Sequence, residues 1–163
     1  MNLERLLPHQ AGSARLPAAS EAPKLKRPLA CKRQQPMNRH SKLYREGMQE
    51  MHHHLGEKAD TLIAKIESIS EEFARVNVEF PYGELYTRTV LDDRVRELCT
   101  VAALTVQGFS SPQLKLHIEA AINCGVSRAE IVEIITQMIA YAGFPAATNA
   151  LLVAKEVFDE ISD

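Results

Sequence analysis

The segment LKLHIEAAINCGV, Leu114 to Val126, carries two groups able to do chemistry, an imidazole at His117 and a thiol at Cys124. On a helix, seven residues bring a side chain back to within about 20° of its starting direction, so the two share a stripe with Ala120 and Ala121 between them. They stand about 10 Å apart along the axis, too far for a thiolate–imidazole pair. The small residues leave space over that stripe. A histidine facing such space can hold or release a proton near neutral pH, whereas one wedged among side chains only packs.

Other candidate groups read as structural. Cys31, Cys99 and Cys124 are odd in number, widely spaced and contain no C-x-x-C, which suggests neither a disulfide framework nor a zinc site and fits a cytoplasmic protein. If the helices around Gly108 to Ser111 form a hairpin, Cys99 and Cys124 are offset by about 6 Å. That is too far for a relaxed disulfide, and both read as buried thiols acting as small hydrophobes. His52, His53 and His54 are consecutive, so on a helix they point about 100° apart and cannot face one ion. They read as a solvated helix face, and no metal is expected. No phosphate-cradling glycine loop is present.

The elements that must position His117 are helical. Apolar residues recur three and four apart at Leu43, Met48, Met51 and Leu55, then at Leu62, Ile63, Ile66, Ile69 and Phe73, before punctuation at FPYG. Asp92 is placed to cap a helix from about Asp93 to Gln107, which Gly108 stops. Ser111-Pro112 opens the helix that carries His117, and Gly125 ends it. Ser127 to Glu130 form a capping box, Gly143 closes that helix, and Pro145 begins a last one ending near Ile161. The expectation is an all-α domain of antiparallel helix hairpins over residues 41–163.

The chain of 163 residues has a net charge of −2, which conceals a split. Residues 1–40 hold eight Lys and Arg against two Glu, with five of the eight prolines, and read as a disordered basic segment before an acidic body. The acidic body argues against nucleic acid as a partner. No apolar run approaches the roughly 18 residues of a membrane span.

Over residues 82–158 the chain resembles the carboxymuconolactone decarboxylase family, the wider group that includes the AhpD-like alkylhydroperoxidases. YGELYTRTVLDDRVREL, the His-x-x-x-Ala element at His117, and YAGFPAA from Tyr141 carry the resemblance in family order. It implies an all-helical fold assembled as a homo-trimer or homo-hexamer. It also implies a cofactor-independent decarboxylase acting on a carboxylated lactone in aromatic-compound catabolism. In that reading His117 is the general acid or the donor to the enolate oxygen, with Glu97 orienting it or sharing its proton. Arg88 holds the spectator carboxylate, and Glu84, Tyr86 and Tyr141 complete the substrate-binding set. The hairpin count sets Glu97 and His117 about 7 Å out of register, leaving a direct bond, a bridging water and a neighbouring subunit all open. The peroxidase branch of the family pairs the same glutamate and histidine with a C-x-x-C. Residues 110–113 here are Ser, Ser, Pro and Gln, so an antioxidant activity is the alternative, beside a non-catalytic oligomer of the same fold.

Overall fold

The computed structural model describes residues 41–161. The basic head read from residues 1–40 lies outside them. Among the described residues there are seven α-helices, one π-helical segment and no strand. None of these helices among the described residues is long and apolar enough to cross a membrane.

Local chemistry sets most of the boundaries. Ser41 caps α1 (Lys42–Leu55) by accepting the Tyr44 N–H at 3.0 Å, and Gly56 at φ 58° turns the chain out of it. After α2 (Lys58–Glu67), Ser70 caps α3 (Glu71–Asn77) through the Phe73 N–H at 3.2 Å. Asp92 caps α4 (Asp93–Gln107), and Gly108 ends it in the left-handed region. Ser110, one residue earlier than expected, precedes α5 (Ser111–Asn123), which carries Pro112 in its first turn. Ser127 and Glu130 complete the capping box of α6 (Arg128–Gln137). The expected helix to Gly143 is interrupted at Met138, and α7 (Ile139–Glu160) is itself broken at Gly143 before Pro145.

The expected break at FPYG does not occur. Val78–Tyr86 continues α3 as a π-helix with Pro81 inside it. Proline lacks an N–H and collides with the carbonyl four residues back, and widening the helix by one residue per turn accommodates both defects. The segment thereby places Tyr82 and Tyr86 beside α1.

Two apolar clusters meet at α5. One joins α4 to α7 around Val101, Ile118, Ile131, Ile135 and Val157. The other joins α1, α2, α3 and the π-segment around Met51, Ile63, Val78 and Tyr82, and takes Ala120 from α5. The seam between them holds the polar residues described below.

Contact between α1 and the π-segment depends on glycine. A Cβ at Gly47 would stand 2.5 Å from the Val78 carbonyl oxygen, and one at Gly83 would stand 2.8 Å from that of Leu43. Backbone cannot yield as a flexible side chain can. Gly47→Ala is therefore expected to destabilise the domain by about 2 kcal/mol, within the range for overpacking, and a urea titration against the parent would show it as a lower midpoint.

Candidate functional site

Burying a carboxylate is costly unless donors converge on it. Glu97, on α4, has a side chain with no exposure at all. Its Oε2 lies 2.8 Å from His117 Nδ1 of α5, and its Oε1 lies 2.8 Å from His54 Nδ1 of α1. The first contact is a well-formed hydrogen bond; the second is as short but poorly directed. Burial alone would push the Glu97 carboxyl up. The bonds from His117 and His54, with their charge, outweigh it and hold the group below its ordinary value.

An ionised Glu97 fixes the ring beside it. Oε2 can only accept, so His117 Nδ1 carries the hydrogen and Nε2 is the nitrogen left for chemistry. The His117 side chain keeps 21% exposure because it lines a cavity of about 580 Å³. Most of the wall is apolar, including Leu55, Leu62, Ile66, Phe73 and Leu116, and its remaining polar groups belong to Asn77, Tyr82, Tyr86 and Gln113. Tyr82 and Tyr86 pack with ring centroids 5.1 Å apart, and Tyr86 stands edge-on to His54 at 4.8 Å. Burial, and after it neighbouring groups that include Glu97, push both phenols up, so each stays protonated and can donate.

The structure thus brings Glu97, His117 and Tyr86 together. The direct Glu97–His117 bond supersedes the register count, which measured backbone positions and left out the reach of two long side chains. Arg88 and Glu84 are exposed, Tyr141 is 73% exposed, and none of the three lines this cavity. Arg88 meets the site only through its backbone carbonyl, which accepts from Arg96 Nη2 at 2.8 Å; Arg96 in turn lies over the Tyr86 ring. No Lys or Arg is among the described residues lining the cavity.

Two groups were misread or missed from sequence. His54, taken with its neighbours as solvated, has no exposure, whereas His52 and His53 are exposed as expected. The signal was there, since residue 54 falls on the stripe of Tyr44, Gly47, Met51 and Leu55 that α1 buries. Tyr82 lies one turn before Tyr86 in the same widened helix. Of the thiols, Cys99 is exposed rather than buried, and Cys124 sits half-buried with Sγ 3.3 Å from His54 Nδ1. Burial, then the Glu97, Asp93 and Glu50 charges, push the Cys124 thiol up to about 12, the reverse of what a nucleophilic thiolate needs. No group of metal-ligating side chains occurs among the described residues.

Residues 71–156 match the family described as the carboxymuconolactone decarboxylase family. A 4-carboxymuconolactone decarboxylase of Acinetobacter baylyi is 31% identical over 119 residues, 72% of this chain and 88% of that protein. An uncharacterised 15.0 kDa protein of Paracoccus denitrificans is 38% identical over 84 residues, 51% of this chain and 63% of that one. A nitrosuccinic acid decarboxylase of Metarhizium robertsii is 26% identical over 125 residues, 76% of this chain and 87% of that protein.

The lowered Glu97 carboxyl makes stability depend on pH with a definite sign. Its contribution is complete above the ordinary carboxylate range and is lost as pH falls below that range through the folded-state value. Glu97→Gln is expected to lower unfolding free energy at pH 7 by about 2 kcal/mol, the scale of a hydrogen bond to a charged group. In urea titrations the gap between variant and parent should narrow as pH is taken below 4.

Proposed function

The chain belongs to the carboxymuconolactone decarboxylase family, and on that footing we propose that it is a cofactor-independent decarboxylase of the 4-carboxymuconolactone decarboxylase type, acting on a carboxylated lactone in aromatic-compound catabolism. The observation that carries this reading is an imidazole held by a buried carboxylate at the wall of a largely apolar cavity of about 580 Å³.

Two of the relatives are named for decarboxylating chemically different acids. In both named substrates an electron-accepting group can take up the pair that decarboxylation releases, an unsaturated lactone carbonyl in one and a nitro group in the other. The bond from carbon to carboxylate breaks, the electron pair moves onto the acceptor oxygen, CO2 leaves, and the carbon skeleton takes one proton. The chain supplies groups for each part. Apolar walls disfavour the charged carboxylate that departs. The neutral phenols of Tyr82 and Tyr86 are donors for the oxygen where charge develops. His117 Nε2 delivers the proton, and once product leaves, the ring recovers one from water entering the cavity. Asn77 and Gln113 offer amide donors to the carboxylate that remains, the task first assigned to Arg88.

The same reading includes a homo-trimer or homo-hexamer. Phe73, Val76 and Phe80 form an exposed apolar stripe along α3 and the π-segment, continued by Ile69 in the turn before α3, and Phe73 reaches the cavity as well. A subunit packed there would close the mouth of the site. Sedimentation equilibrium should report a multiple of the 18.2 kDa chain, and a monomer at micromolar concentration would reject the assembly.

His117→Ala is expected to reduce CO2 release from 4-carboxymuconolactone by at least about 100-fold, the scale of a positioned general acid, with the fold intact by circular dichroism. Parent protein that releases no CO2 from the lactone would overturn the reading.

A further inference from the structure

The proposed chemistry makes no use of His54, yet its surroundings are unusual for a packing residue. The ring is fully enclosed, and replacing a buried imidazole by an aliphatic side chain ordinarily relieves desolvation. It is instead surrounded by groups that respond to its proton. From α4, Glu97 Oε1 stands 2.8 Å from Nδ1 and Asp93 Oδ1 stands 3.9 Å from Nε2. From the end of α5, Cys124 Sγ stands 3.3 Å from Nδ1. From the π-segment come the Tyr82 and Tyr86 rings, and from α1 itself the edge of His53, whose Nε2 is 3.3 Å from the other Asp93 oxygen. The Asn123 side chain donates to the His54 carbonyl at 2.8 Å, tying the end of α1 to the end of α5.

Proton accounting narrows the states of this ring. A bare Nδ1 would set its lone pair against a carboxylate oxygen 2.8 Å away in a dry seam, which is repulsive. Nδ1 therefore carries the hydrogen. Glu97 then faces an N–H on each side, well directed from His117 to Oε2 and short but poorly directed from His54 to Oε1.

We propose that His54 is a positioning residue for the catalytic acid, holding Glu97 from the side opposite His117. Only His117 lines the cavity. His54, behind the wall, keeps the carboxylate turned so that Oε2 meets His117. The consequence for catalysis rests on the decarboxylase reading; the placement and tautomer of His54 do not.

The test separates the two. Nitrogen-15 spectra of the imidazoles in the full chain, without substrate, should show His54 hydrogenated at Nδ1. A His54 ring hydrogenated only at Nε2 would overturn the proposal whether or not the protein decarboxylates anything. Asparagine keeps a donor near the place of Nδ1. In the CO2-release assay, His54→Leu, which removes the donor, should lower kcat by about 100-fold with KM within about twofold. His54→Asn should recover about tenfold of that loss. Equal kcat in His54→Leu and the parent refutes the positioning role, and parent protein with no activity refutes the decarboxylase reading alone.

Discussion

A carboxylate removed from water governs the architecture of this domain. Glu97 is enclosed completely, and an ion in that position is tolerable only where donors meet it from more than one side. Those donors come from α1 and α5, separated by more than sixty residues of chain. The seam must therefore form as one unit. Both apolar clusters contribute to it, because α5 presents Ile118 to one and Ala120 to the other while His117 points between them. The close approach of α1 to the π-segment, permitted by Gly47 and Gly83, brings His54 and the two tyrosines to the same place. Core packing and site geometry are in this respect one constraint.

From that seam only His117 and the tyrosines reach the cavity. The charged part of the machinery lies behind the wall and the reactive surface is nearly neutral, an arrangement suited to a reaction that consumes a carboxylate. A lysine or arginine in the wall would hold the departing group in its charged form. Apolar walls with a few neutral donors do the opposite, favouring CO2 over carboxylate and stabilising the oxygen on which charge accumulates. In the proposed reaction the imidazole then supplies the one proton the skeleton requires.

Much of this was legible locally. Ser41, Ser70, Asp92, Gly108, Gly125 and the Ser127–Glu130 box mark their boundaries because capping depends on residues a few positions apart. His117 and Glu97 were legible as a candidate pair through motif resemblance, although their bond depends on side-chain reach across two helices. Three things depended on tertiary context. Pro81 reads as a break in any local view, but a π-helix absorbs it when α1 packs alongside. His54 is masked by two polar neighbours of the same type, and only its register with Met51 and Leu55 reveals its burial. Arg88 has a residue type suited to a carboxylate, but it lies past the end of the π-segment, in the exposed connection to α4.

The same carboxylate also bears on why this scaffold does not combine two chemistries. Peroxide reduction needs a thiolate, hence a positive local potential and a partner sulfur. Proton delivery from His117 needs an anion behind the ring. In this chain the anion is buried and Cys124 lies across His54 from it, so burial first, and after it the field that organises the imidazole, suppress ionisation of that thiol. Moving a reactive cysteine into residues 110–113, at the start of α5, would place it nearer the electropositive end of that helix, where a thiolate is favoured. The Glu97–His117 pair is thus compatible with either reaction, and what stands at the start of α5 and along the cavity wall selects between them. With Ser110, Ser111, Pro112 and Gln113 there, the imidazole has no sulfur to serve and an apolar chamber in front of it, the condition that the proposed proton transfer to carbon requires.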